Sequence, residues 1–262
     1  MTDINAFRPL TRRRFATYLA AIVSSPSLFS CHDLRGETTG GSARLQARPA
    51  APTGTVSTGL RALGLASGRD GFLYVPTGYA PSTPAPLLLT LHGATMESAY
   101  GISLWRDLAD EHGVIVLSPD SRSVTWDGIR GRFSEDIAFI DRALRLVFRD
   151  CQVDPQRMVV HGFSDGATYG LGLGLANGDL FGRVVASSPG FVAASDSPNV
   201  GRPRFFISHG RQDGILPIAQ TSARIVPELR SRGYTVEYRE FNGGHGVPPD
   251  IAKASMDWML SP

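Results

Sequence analysis

The sequence predicts an α/β domain built on a mostly parallel central sheet flanked by helices, and three observations predict it. Short apolar, β-rich runs at 71–76, 87–92, 114–118, 158–162, 184–188, 204–209 and 235–241 alternate with longer helical patterns at 103–112, 134–149, 165–177, 218–232 and 250–260. That strand-then-helix repetition belongs to a doubly wound sheet. Leu87-Leu88-Leu89-Thr90-Leu91 and Phe205-Phe206-Ile207 do not alternate apolar with polar residues, as suits central strands covered on both faces. Gly113, Gly178 and Gly233 each stand just past a helical segment, where a helix ends most easily.

The 262 residues are 42% apolar and 19% charged, which fits one globular domain with a real core. The formal charge is +2, but Arg8, Arg12, Arg13 and Arg14 stand against only Asp3 in the first 30 residues, leaving the rest at −1. A near-neutral body lacks the basic face that binding to phosphate backbones requires, so nucleic acid is not an expected partner.

The amino terminus reads as an address. Thr11-Arg12-Arg13-Arg14-Phe15 leads into an apolar stretch over 15–29, resembling a twin-arginine export signal. A membrane-spanning anchor is the competing reading. The stretch is shorter than the roughly 20 apolar residues that a span needs, and Ser24, Ser25, Pro26 and Ser27 interrupt it. Leu28-Phe29-Ser30-Cys31 resembles a lipobox, which makes Cys31 a candidate lipidation site and membrane tether; ordinary cleavage nearby is the alternative. Either way the expected location is exported, periplasmic or associated with the cell envelope. The only other cysteine is Cys151, so stability cannot rest on a disulfide if Cys31 carries lipid. Residues 32–58 are rich in Gly, Ala, Pro, Ser, Thr and Arg and read as a flexible linker, with the globular domain over 59–262.

In such sheets ligands sit beyond the carboxyl ends of the strands, so the residues that follow each strand carry the chemistry. Gly162-Phe163-Ser164-Asp165-Gly166 lies between a strand and a helix, the setting of a nucleophile elbow. A serine hydroxyl needs an adjacent base, itself oriented by a carboxylate. Only His209 and His245 follow Ser164, and His209 precedes the natural acid candidate, which leaves His245 in Asn242-Gly243-Gly244-His245-Gly246 as the base. Asp213, just past the strand at 204–209, is the candidate acid, with Asp196 as its rival. The developing oxyanion needs backbone donors: the Asp165 N–H from the elbow and the Ala94 N–H from the loop after the strand at 87–92. His92 reads as structural. Trp126 and Phe191, each after a strand end, are candidate walls for a substrate group. This chemistry calls for no metal or cofactor.

These residues resemble the compact bacterial α/β-hydrolase esterases grouped as polyhydroxybutyrate-depolymerase-like, feruloyl-esterase-like and phospholipase/carboxylesterase-like. The resemblance runs from about residue 71 to the C-terminus. It rests on Leu91-His92-Gly93, Asp136-Ile137-Ala138-Phe139-Ile140-Asp141, Val153-Asp154-Pro155-Gln156-Arg157 ahead of the elbow, His209-Gly210-x-x-Asp213 and Gly244-His245. It implies the α/β-hydrolase fold and hydrolysis of a small-molecule or polymeric carboxylic ester, and the absence of a long insertion between the strands at 184–188 and 204–209 leaves no place for a large cap domain. An amidase with the same three residues, or an inactive binding module of the same fold, is the alternative reading. Asp165 departs from the Asn or Gln that these esterases often carry after the nucleophile, and Ala94 from their larger residue or cysteine after His-Gly. A carboxylate beside the oxyanion opposes the charge developing there unless it is turned outward.

Overall fold

The computed structural model describes residues 41–262; the expected export signal over 1–31, Cys31 and the first part of the expected linker, 32–40, lie outside them. Among the described residues, eight strands form one sheet in the order β1-β2-β4-β3-β5-β6-β7-β8. They are β1 (Gly59–Ala62), β2 (Gly71–Val75), β3 (Ala85–Leu91), β4 (Ile115–Pro119), β5 (Val153–Phe163), β6 (Arg183–Ser187), β7 (Arg204–Gly210) and β8 (Val236–Phe241). The β1–β2 and β2–β4 pairings at one edge are antiparallel; the other five are parallel. The helices are α1 (Ser98–His112), α2 (Glu135–Asp150), α3 (Asp165–Ala176), α4 (Ser222–Ser231) and α5 (Pro249–Leu260).

All seven residues of β3 are buried, and their side chains divide between two cores. Leu87, Leu89 and Leu91 join the core under α2, α3 and α4, whereas Leu88 joins Trp105 of α1 and Met256 and Trp258 of α5. Unbroken apolar runs are the signature of a strand with a helix layer on each face. The connection between β6 and β7 carries no helix or strand of three or more residues, and no cap domain is inserted there.

Two helices depart from the sequence reading. α1 begins at Ser98, five residues ahead of the expected start at 103, because the Ser98 N–H is taken by Asp120 Oδ1 at 2.6 Å. That acceptor comes from the end of β4, a long-range cap that local sequence cannot display. The expected helix over 218–232 divides into a short 3-10 turn, Ile218–Gln220, and α4; Thr221, at φ −123° and ψ −101°, breaks the helical path between them.

The flexible linker expected over 32–58 is corrected where it is described. Residues 41–50 form an extended strap in which Ala43, Leu45 and Ala47 are buried to 1% exposure or less. Asn177, just past α3, accepts the Leu45 N–H at 2.9 Å and donates to the Ala43 carbonyl at 2.7 Å. Asp141 of α2 accepts the N–H groups of Gln46 and Ala47 at 2.6 and 2.7 Å. Arg44 and Arg48 converge on Asp179. Composition alone misleads here, because small residues at alternate positions fill the groove and the helices supply partners for the strap's backbone. Asn177→Ala leaves the Leu45 N–H and Ala43 carbonyl without those partners, and should cost about 2 kcal/mol in denaturant unfolding.

Candidate active site

The carboxyl ends of β3, β5, β7 and β8 bring the sequence-selected residues together. Ser164 follows β5 at φ 56° and ψ −118°, a strained position for a non-glycine residue that recurs at functional turns. The turn is sharp enough that a Cβ on Gly162 would lie 2.0 Å from the Gly166 carbonyl oxygen, and one on Gly166 would lie 2.1 Å from that of Leu91. Both flanking glycines are therefore steric requirements of the elbow.

Ser164 Oγ lies 2.9 Å from His245 Nε2, and His245 Nδ1 lies 2.7 Å from Asp213 Oδ2. A carboxylate can only accept, so His245 donates from Nδ1 and leaves Nε2 to accept from the serine hydroxyl. Asp213 is buried, and its Oδ1 takes the N–H groups of Ile215 and Leu216 at 2.9 and 2.8 Å. Burial pushes this carboxyl up, but those N–H donors and His245 outweigh it and hold it below the ordinary carboxylate value. His209 stands under the acid, with Nε2 3.1 Å from Asp213 Oδ2 and Nδ1 2.6 Å from Ser222 Oγ. The rival acid Asp196 is exposed, and its N–H is bonded to the Gly41 carbonyl.

The Ala94 loop comes to the same point: a Cβ on Gly93 would lie 3.3 Å from Ser164 Cβ. The Ala94 N–H makes no hydrogen bond among the described residues, and the Asp165 N–H, first in α3, has no intrahelical acceptor. The loop is fixed from below by His92, whose Nδ1 bonds the Gly93 carbonyl at 2.8 Å and whose Nε2 accepts the Ser121 N–H at 3.0 Å.

Trp126 does not wall the cleft. It is fully buried, donates from Nε1 to the His92 carbonyl at 2.8 Å, and packs between His92 and Tyr169. A large aromatic following a strand end was ambiguous between surface and support; here it is support for the Ala94 loop. Phe191 is half-buried against the core edge. Sequence reading missed Phe163 and Tyr100, whose rings stack in series behind His245, with centroids 4.8 and 5.4 Å apart. Alternation within β5 carried no hint of that contact. It also missed the carboxylate knot of Asp127 and Asp136, which holds the loop carrying Trp126. Asp136 accepts the N–H groups of Arg122 and Asp127 at 2.6 Å each, and Asp127 accepts those of Ser134 and Asp136.

Burial lowers His92 to about 4 and His161, beneath α1, to about 3. Both are neutral when folded, so at lower pH the unfolded chain binds the extra protons. Their contribution is complete above about pH 6.5 and is lost progressively as the pH falls toward 4. The urea midpoint should therefore be lower at pH 5 than at pH 7. His161→Leu, less stable overall, should show the shallower decline.

The feruloyl esterase C of Emericella nidulans is 29% identical over 164 residues, covering 58% of this chain and 57% of that protein. A bifunctional acetylxylan esterase/xylanase of Neocallimastix patriciarum is 32% identical over 161 residues, covering 59% of this chain but 23% of that protein. The chain thus spans little more than half of the first relative and under a quarter of the second. The solved S-formylglutathione hydrolase of Staphylococcus aureus superposes with a TM-score of 0.61 at 15% identity, over 79% of this chain and 100% of that one, and that likeness shows the α/β-hydrolase fold. The profile of the family described as "Putative esterase" matches residues 65–213, more than half of the chain and a stretch that includes both Ser164 and Asp213, and the chain belongs to that family.

Proposed function

We propose that the protein is a serine esterase that cleaves carboxylic esters through an acyl-enzyme intermediate. The observation that carries the reading is the hydrogen-bonded chain from Ser164 through His245 to Asp213, at 2.9 and 2.7 Å. Ser164 Oγ attacks the ester carbonyl while His245 Nε2 takes its proton. The carbonyl oxygen gains the negative charge and is met by the Ala94 and Asp165 N–H groups, each such donor contributing about 3–4 kcal/mol. His245 then gives its proton to the departing alkoxide, and an acyl ester on Ser164 is left. Water, deprotonated by His245, attacks that acyl group, and collapse returns the acid and the free serine. Asp213 holds the imidazole in the required tautomer and stabilises its charged form.

The relatives' names, feruloyl and acetylxylan esterase, support an ester borne on a carbohydrate. Exposed Val124 and Ile215, with half-buried Phe191, offer apolar surface in the loops that follow the strands. The test is a fluorophosphonate probe followed by peptide mapping, beside a panel of p-nitrophenyl esters of graded length, amides, feruloyl esters and acetylated xylan. Labelling of Ser164 with ester turnover supports the reading; native protein that neither labels nor turns over any ester overturns it.

Export through the twin-arginine leader and lipidation at Cys31 belong to the same proposal. Globomycin-sensitive processing, and loss of membrane association in Cys31→Ala, are the expected results; an unchanged soluble product would leave export alone.

A further inference from the structure

The Asp165 side chain has no part in the mechanism above, which uses only its N–H. One carboxylate oxygen, Oδ2, accepts from Thr125 Oγ1 at 2.5 Å. The other, Oδ1, has no hydrogen-bond partner among the described residues and is not among the sealed polar atoms, so it keeps access to solvent. Burial raises the carboxyl above its ordinary value, while the Thr125 hydroxyl and the charge of His245 pull the other way. Its free oxygen is thus accessible on the side chain directly next to Ser164.

Thr125 is not a casual neighbour. The residue before it, Val124, accepts the Thr95 N–H at 2.7 Å; the residue after it, Trp126, supports the Ala94 loop through the His92 carbonyl. One short loop thus fixes both the Ala94 loop and the Asp165 carboxylate. A negatively charged acceptor fixed beside a reacting ester costs the oxyanion some stability, so a gain in this site would have to come through substrate binding.

We propose that Asp165 is a specificity-determining residue. Its free oxygen accepts a hydrogen bond from a hydroxyl carried close to the scissile ester, and its charge turns away substrates that carry an anion there. The substrate class is an uncharged, hydroxyl-bearing ester. This rests on the esterase reading, and it goes beyond it by assigning the selection to one side chain. A site built around a polar partner rejects the analogue that lacks it, because the desolvated acceptor is then left unpaired.

Three matched pairs test it by kcat/KM: glycerol monoacetate against ethyl acetate, methyl lactate against methyl propionate, and monomethyl succinate against dimethyl succinate. In the native protein at least one hydroxylated ester should be favoured roughly tenfold or more, as one hydrogen bond to a charged group provides, and the succinate monoanion should be disfavoured. Asp165→Ala should bring these ratios close to those of free hydrolysis. Asp165→Asn, which removes the charge, should recover the monoanion. Thr125→Val, which frees the carboxylate, should weaken the hydroxyl preference and leave the penalty on the anion. Because each readout is a ratio between substrates, a general loss of folding or of oxyanion stabilisation cancels. Native turnover with no preference in either hydroxyl pair, or with ratios unchanged in Asp165→Ala, overturns the assignment and leaves the esterase reading standing. A native protein inert toward every ester overturns the esterase reading itself.

Discussion

Ser164→Ala should lower kcat for ester hydrolysis by about a million-fold, since removing the nucleophile of such a constellation forfeits base and acid catalysis together. A residual rate above that of free hydrolysis should survive, because the Ala94 and Asp165 N–H groups are backbone donors untouched by the substitution. Fold and stability should change little. The Ser164 hydroxyl makes one hydrogen bond, to His245, and the Ser164 N–H to the Ser187 carbonyl at 2.9 Å is independent of the side chain. The strain at φ 56° arises from Cβ, which alanine keeps, so it is unchanged by the substitution. Steady-state kinetics on p-nitrophenyl acetate, with urea unfolding as a control, distinguish this from collapse of the site. An alanine variant with native turnover would remove Ser164 from the reaction.

Asp213→Asn should reduce kcat/KM by about ten-thousand-fold, through the tautomer rather than through distance. Asp213 Oδ1 is committed to the Ile215 and Leu216 N–H groups, so an asparagine places its carbonyl there and its NH2 toward His245 Nδ1. That nitrogen must then accept, the ring proton moves to Nε2, and the serine hydroxyl loses its base. The Asp213 carboxyl lies below its unfolded value, so its stabilising contribution is present above the ordinary carboxylate range and is lost as the pH falls through the folded value. The stability gap between native protein and Asp213→Asn should accordingly be full near neutrality and narrow in acid. A gap that widened in acid would contradict the geometry around the acid.

The strands that carry the site were legible because their signals are local. β3, β7 and the second half of β5 are short apolar runs, and Ser164, Asp213 and His245 each lie in a turn-rich segment after a strand. Chain order then restricted the base to two histidines, and geometry leaves His209 buried under the acid and His245 beside the nucleophile. What escaped notice depends on contacts between distant positions. The early start of α1 needs Asp120, the docking of residues 41–50 needs Asn177 and Asp141, and the burial of Trp126 needs His92 and Tyr169. The reading of 32–58 as linker failed over its described part because composition measures what a segment can bury by itself. It does not measure what a groove already lined by helices can offer.

That docked segment bears on where this molecule can be cut and how it could exchange parts. Burying Leu45 alone is worth about 1.5–3 kcal/mol, and its groove offers the Asn177 and Asp141 side chains to any extended backbone of the right register. A protein beginning at residue 59 would leave that groove empty and sticky, whereas one beginning before residue 41 would carry its own occupant. Since the strap joins the sheet only through residues 51–58, the same complementarity that closes one molecule on itself would let two molecules trade straps. Shortening that connection should therefore favour exchange of straps between two molecules, seen as a dimer in size-exclusion chromatography.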